Sequence, residues 1–175
     1  MMYFRWLIQI PVFFLSSIAA WIVAPIAPLF AKNYSLKGTA FWWCTTPQTD
    51  LRGDPDHQEK YHHKNSYFQQ VHWILRNPAV NFQKEYLGVH VEDTDTVETI
   101  GDEESKDYGG SYWQYIVRDG KRIAWMYYCI KPYSFWKGKA FRALIGWKTW
   151  DAHVKDPLQM TFRITPVKSF TPKQR

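Results

Sequence analysis

Residues 112–130 read YWQYIVRDGKRIAWMYYCI, and the Asp119-Gly120 pair at their centre decides the fold class. Asp-Gly is favoured at the two central positions of a type I′ turn because both need positive φ, so the stretch is a β-hairpin with strands over 112–118 and 121–130. A two-residue turn pairs Tyr112 with Tyr127, Gln114 with Trp125 and Ile116 with Ile123 on one face, and Trp113 with Met126 on the other. Both faces are then largely apolar or aromatic, which puts the hairpin in the middle of its sheet.

Working outward, residues 139–149 alternate Phe141, Ala143, Ile145 and Trp147 against Arg142, Leu144, Gly146 and Lys148. Residues 158–164 alternate Leu158, Met160, Phe162 and Ile164 against Gln159, Thr161 and Arg163. A period of two marks each as a strand with one buried and one wet face. Upstream, Leu87, Val89 and Val91 alternate with Gly88, His90 and Glu92, giving a first strand over 87–92. Residues 92–107 hold eight acids and one base, Lys106, so 92–110 is expected to be an exposed acidic loop. The predicted sheet is an antiparallel meander of four or five strands.

Two short helices precede it. Asp54 followed by Pro55 reads as an N-cap and first helical residue, starting a helix toward residue 64. A second, over 67–76, puts Phe68, Val71, His72 and Leu75 on one face and stops at Asn77-Pro78. These helices are expected to cover one side of the sheet, giving an α+β fold.

From residue 6 to residue 30 there are twenty-five positions without a charge, thirteen of them Leu, Ile, Val or Phe. A helix of that length reaches about 37 Å, enough to cross a hydrocarbon core of about 30 Å. At about −0.3 to −0.6 kcal/mol for each such residue, insertion is favoured by about −4 to −8 kcal/mol at most. The segment is therefore expected to be a transmembrane or membrane-embedded helix. Trp6, Phe13, Phe14, Trp21 and Phe30 are the anchoring aromatics, residues 1–31 the anchor, and residues 32–175 one small soluble domain. Pro11, Pro25 and Pro28 shorten the regular span and keep an interfacial or re-entrant helix open. A cleaved signal peptide competes, with Arg5 as its charged region and Ser17-Ile18-Ala19 as its cleavage site, but the apolar run continues well beyond Ala19. Phe41-Trp42-Trp43 follows, suited either to a belt at the membrane surface or to a core cluster.

The formal charge of +6 hides an asymmetry, because residues 108–175 carry thirteen bases and three acids. Within them Lys131, Trp136, Lys137, Lys139, Arg142, Trp147 and Lys148 interleave cations with aromatics, the composition of a surface for an anionic partner. Tethering favours a lipid bilayer, or a host or phage membrane protein, over nucleic acid. Arg5 and the amino terminus nearly balance Lys32 and Lys37 across the anchor, and adding Arg52 with the basic C-terminal part tips the expected orientation toward a domain on the cytoplasmic side of a host cell inner membrane.

Catalytic chemistry has weak support. Cys44 and Cys129 are far apart and in no ligand-like spacing, so both are expected as buried, reduced thiols. No HExxH, GxSxG or phosphate-binding loop occurs, and no cofactor is implied. His62 and His63 are adjacent and point about 100° apart on a helix, with His57 five positions earlier, so they do not make a metal face. An alternative reading is an envelope-proximal hydrolase using Asp54, Asp56 and the neighbouring histidines; solvated surface residues are the simpler account. Arg52-Gly53-Asp54 spells an adhesion tripeptide at chance level.

An apolar segment ending APIAPLFA, then Trp42-Trp43-Cys44-Thr45-Thr46-Pro47, Gly53-Asp54, WILRNPA over 73–79 and RALIGWK over 142–148, resembles a family of small tailed-bacteriophage and prophage proteins of unknown function. The similarity spans most of the chain, except that the acidic stretch at 92–107 is longer than that pattern. The resemblance implies a phage-encoded, membrane-associated accessory protein, and supplies no catalytic residues.

Overall fold

A computed structural model describes residues 1–154 and 156–173. The architecture is α+β, and it contains two compact units, one formed by Met1–Ile8 with Gly88–Arg175 and the other by Gln9–Leu87. The first helix, α1 (Met2–Val23), contributes its opening turns to one unit and the rest to the other.

The sheet unit is a five-stranded antiparallel meander in sequence order: β1 (Thr96–Gly101), β2 (Gly110–Arg118), β3 (Lys121–Pro132), β4 (Lys139–Trp147) and β5 (Met160–Ser169). The β2–β3 turn is the expected one, with Asp119 at φ 49° and Gly120 at φ 72°, and the hairpin lies inside the sheet. Its register differs from expectation beyond the first rungs. Val117 faces Arg122, but Ile116 faces Ala124, so a bulge at Ile123 shifts everything after it by one. Tyr112 therefore meets Tyr128, Gln114 meets Met126 and Trp113 meets Tyr127. Because both faces of the hairpin are apolar, neither register exposes a wet side chain to the core, and the sequence pattern does not discriminate between them.

Two other strand expectations are corrected. Residues 87–92 form no strand; only Val89 makes a bridge, to Leu158. The first strand lies instead inside the acidic stretch, which also folds a short helix, α5 (Ser105–Tyr108). The acids are held by bases of the hairpin and C-terminal tail: Asp95 and Glu92 by Arg118, Glu98 by Arg122, and Asp107 by Lys173. The strand itself is held by its antiparallel ladder to β2, with these ion pairs beside it. β4 has no wet face either, since Ala143 and Trp147 on one side and Leu144 and Gly146 on the other are all buried.

On one face of the sheet Tyr112, Met126, Tyr128, Ile130, Ala140 and Leu144 form a core, joined by Phe170. On the other, Trp125 receives the start of α1, with Tyr3 and Trp6 rings 5.1 and 5.2 Å from its own.

The second unit holds the remainder of α1, a 3-10 turn at Ala27–Phe30, another at Trp42–Cys44, and helices α2 (Pro55–Tyr61), α3 (Ser66–Arg76) and α4 (Val80–Glu85). Asp54 caps α2 as expected, accepting from the His57 N–H at 2.8 Å. α3 buries Gln70, Trp73 and Ile74, whereas Phe68 and Leu75 of the predicted face are exposed. The helix is rotated from expectation because the Trp73 ring packs directly over Gly53, where a Cβ would strike it. The core is Ala20, Ala24, Ala27, Leu36, Cys44, Leu51, Trp73, Ile74 and Ala79.

Candidate functional site

α1 and the turn that follows it carry two opposed stripes. Trp6, Phe13, Ser16, Ser17, Ala20, Ala24 and Ala27 recur at spacings of three and four, or seven, and are buried. Leu7, Ile8, Val12, Leu15, Ile18, Ile22, Ile26 and Leu29 point outward, with Leu15 66%, Ile22 69% and Leu29 70% exposed. Of the anchoring aromatics, Trp6 and Phe13 lie on the inner stripe, and Phe14, Trp21 and Phe30 on the outer surface. Fourteen of the twenty-five large hydrophobic side chains exposed among the described residues fall in the first thirty positions. A surface helix of a water-soluble protein has the reverse order, large apolar groups inward and polar groups outward.

The inner stripe is fastened by polar contacts. In the sheet unit the Arg5 guanidinium donates to Gly88 O at 2.7 Å and lies over the Trp147 ring, while the Trp6 indole donates to Gly146 O. In the other unit Gln83 Nε2 donates to Ser17 Oγ at 3.2 Å, the Trp21 indole donates to Leu75 O, and the Tyr67 hydroxyl donates to Pro25 O. α1 runs unbroken through Pro11 and ends at Val23, before Pro25. Beside its outer surface Val12, Leu15, Ala19, Trp42, Trp43, Phe82 and Tyr86 line an open, almost wholly apolar groove of about 470 Å³. Phe41 and Trp43 also pack against the core of this unit, so the aromatic triplet is both core edge and surface.

The basic and aromatic residues of 131–148 are not gathered into one patch. Trp147 is fully buried. Trp136 and Lys137 are exposed in the β3–β4 connection, and Lys131 is exposed near the end of β3. Lys139 Nζ donates to Ser169 Oγ at 3.0 Å, and Lys148 Nζ donates to Gln159 Oε1 at 2.6 Å at the far end of β4. Arg142 stands on the face opposite Lys131 and Trp147, across from Thr165 of β5.

The acids and histidines near α2 are partly brought together. A cleft of about 530 Å³ is lined by Asp56, His57, Lys60, Tyr61, His72, Leu75 and Arg76. His57 is buried, not a surface residue as its polar helix suggested, with its ring against Tyr61 and Trp73. Its Nε2 lies 3.0 Å from Gln69 O, a carbonyl that can only accept, so Nε2 carries the hydrogen and the buried Nδ1 has no hydrogen-bond partner. Asp54 is occupied as the cap of α2 and by Arg76 at 3.1 Å. His62 and His63 are exposed and outside the cleft lining. Gly53 of the adhesion-like tripeptide is buried beneath Trp73.

The motifs that repeat in the resemblance are packing elements. The Trp73 indole donates to Thr46 Oγ1 at 3.3 Å, and Asn81 donates to Trp42 O and Thr45 Oγ1 at 2.8 and 3.0 Å. Arg76 lies over the Trp73 ring, and Gly146 receives Trp6. Each of these contacts lies within a single unit, Trp6–Gly146 in the sheet unit and the others in the helical unit.

The chain belongs to DUF7338, a family of unknown function whose model matches residues 1–172. No curated protein and no solved structure matches it.

Proposed function

We propose that this DUF7338 protein is a membrane-bound accessory protein, and that α1 lies in the plane of the bilayer with its outer stripe in the hydrocarbon instead of crossing it. The observation that carries the reading is the arrangement of α1: Ser16, Ser17 and Ala20 face inward with Trp6 and Phe13, while the large aliphatic residues face outward. A spanning helix is wrapped by lipid, whereas this one has a stripe covered by protein in both units. One helix, Met2–Val23, is apolar enough to cross a membrane by length and composition, and the same property serves in-plane burial. The eleven outward Leu, Ile, Val and Phe side chains of residues 1–30 favour transfer by about −3 to −7 kcal/mol at most. Trp21, Trp42 and Trp43 suit the headgroup level, and Arg5, Lys32 and Lys37 flank the apolar run.

Retention of the N-terminus follows, since cleavage after Ala19 would remove Trp6, Phe13 and Ser17 from the cores they complete. The basic balance of residues 108–175 supports the cytoplasmic face of a host inner membrane, whose lipids are anionic. The phage or prophage setting, and a role in binding a membrane partner, are supported by the motif resemblance.

The test is flotation of the full-length protein with lipid vesicles. Wild type should float with the vesicles and withstand a carbonate wash, and Leu15→Lys and Ile22→Lys should each weaken binding tenfold or more, at about 2.5 kcal/mol per buried lysine. Both side chains are exposed, so the fold should survive. External protease should leave no fragment protected inside the vesicles. Soluble wild type, or a protected N-terminal fragment, would overturn the reading.

A further inference from the structure

The sheet presents an arginine with no counter-ion. Arg5, Arg52, Arg76, Arg118 and Arg122 each hold a carbonyl or a carboxylate. Arg142 does not: its Nε is buried without a hydrogen-bond partner, and it forms no ion pair among the described residues. Strand register adds cations to the same face. Arg142 faces Thr165, Leu144 faces Arg163, and Ala140 faces Lys168. The shift between Ala140 and Arg142 keeps Lys168 on that face, where Pro166 and Val167 form the bulge of an edge strand.

We propose that Arg142 and Lys168, with Thr165 across from Arg142, form a binding site for a phosphate group. Like charges on neighbouring strands repel, and a half-buried guanidinium with an unused donor gains most from an anion that can take two N–H bonds at once. Burial, and then the nearness of Arg142 and Arg163, hold Lys168 below the usual lysine range, the direction expected of a cation crowded by cations with no acid to relieve it. The acid beside this face is Asp107, close enough to Tyr128 to act on its hydroxyl, and it is already engaged by Lys173 Nζ at 3.0 Å. Of the acids in residues 92–107, Glu92 and Asp95 pair with Arg118, Glu98 with Arg122 and Asp107 with Lys173. A phosphate is preferred to a carboxylate because Arg142, Lys168 and a neighbouring hydroxyl offer more donors than two carboxylate oxygens take.

The site does not depend on the membrane reading, because it is tested without a bilayer. Full-length protein in non-ionic detergent is titrated with inorganic phosphate by calorimetry, against chloride at matched ionic strength. Saturable binding of phosphate is expected, weakened tenfold or more by Arg142→Met, the equivalent of about 1.4 kcal/mol, and weakened also by Lys168→Met. Lys121→Met, at the hairpin turn, should leave it unchanged. If Arg142→Met fails to fold, Lys168→Met decides, as its side chain is at the sheet edge. Phosphatidylglycerol and phosphatidylcholine vesicles then separate the sources. Loss of the preference for phosphatidylglycerol in the variants marks a lipid headgroup, and an unchanged preference with phosphate binding lost marks a soluble phosphate ester. No binding above chloride in the wild type, or wild-type affinity in Lys168→Met, overturns the site.

Discussion

The indole N–H of Trp6 donates to the carbonyl of Gly146 at 3.2 Å, joining the second turn of α1 to β4 across 140 residues of sequence. Gly146 itself has φ +114°, and a Cβ there would run into the backbone of Trp125 and Met126. Gly146→Ala should therefore destabilise the protein by about 3 kcal/mol, combining strain with a steric conflict. Gly138, at φ +75° with open space around it, provides the control, and Gly138→Ala should cost only about 1 kcal/mol. Urea unfolding of the full-length protein, followed by tryptophan fluorescence, measures both. Equal midpoints for the two variants would show that β3 and β4 are not closely packed at this point.

Acid should loosen the edge of the sheet. Arg118 grips Asp95 through Nε–Oδ1 at 2.8 Å and Nη2–Oδ2 at 2.7 Å, and this hydrogen bonding holds the Asp95 carboxyl below the usual carboxylate range. A carboxyl depressed by folding contributes stability that is complete above its unfolded value, about 3.9, and that is lost as pH falls through the lower, folded value. Wild type should thus weaken on acidification below about pH 4. Asp95→Asn should be less stable at pH 7 and show a flatter acid limb, read from thermal midpoints between pH 3 and 7. An acid limb unchanged by the substitution would assign it to other carboxyls.

How much of this was legible depended on whether the deciding interaction was local. Asp119-Gly120 carries its own backbone requirement, so the hairpin and the meander around it follow from sequence. The bulge at Ile123 does not, because sliding one strand past an equally apolar neighbour changes no burial pattern. The strand at Thr96–Gly101 is hidden for a different reason: its acids look solvated until Arg118 and Arg122, about twenty-four positions later, come beside them. α3 offers two plausible apolar faces, and only the space above Gly53 selects the one bearing Trp73. At the candidate sites, the hydropathy of α1 was evident, but the direction of its large side chains was not, since large apolar residues occur nearly all round the helix and its few polar ones do not say which side meets protein. The alternation of 139–149 placed Arg142 opposite Trp147, yet its lack of an acid partner is a property of the assembled face.

Asp54 tests how the motif residues work. Its Oδ1 accepts from the His57 N–H and from Arg76 at 3.1 Å, so one carboxylate caps α2 and ties it to α3. Asp54→Ala should destabilise by about 1 kcal/mol, the usual loss for an N-cap, and Asp54→Asn by less because the amide oxygen still caps. The Arg76 pair is solvent-exposed and adds little. Thermal melting in detergent gives the order. An Asn variant as unstable as the Ala variant would mean that the carboxylate charge, not the cap, matters at this position.

The two cysteines should differ sharply in reactivity. Cys44 is fully buried, its thiol donates to Phe41 O at 2.9 Å, and burial pushes its pKa up to about 12. Only the thiolate attacks an alkylating reagent, and at pH 8 about one Cys44 in ten thousand would be ionised even if the reagent reached it. Cys129 lies half-buried on β3, accessible from the sheet face. Iodoacetamide on the native protein at pH 8 should therefore modify Cys129 alone, with Cys44 labelled only after denaturation in urea. Peptide mass mapping of the alkylated chain reads the outcome. Equal labelling of both under native conditions would mean that the packing of Trp42–Cys44 against Leu36 and Trp73 opens in solution, and with it the internal support of α1.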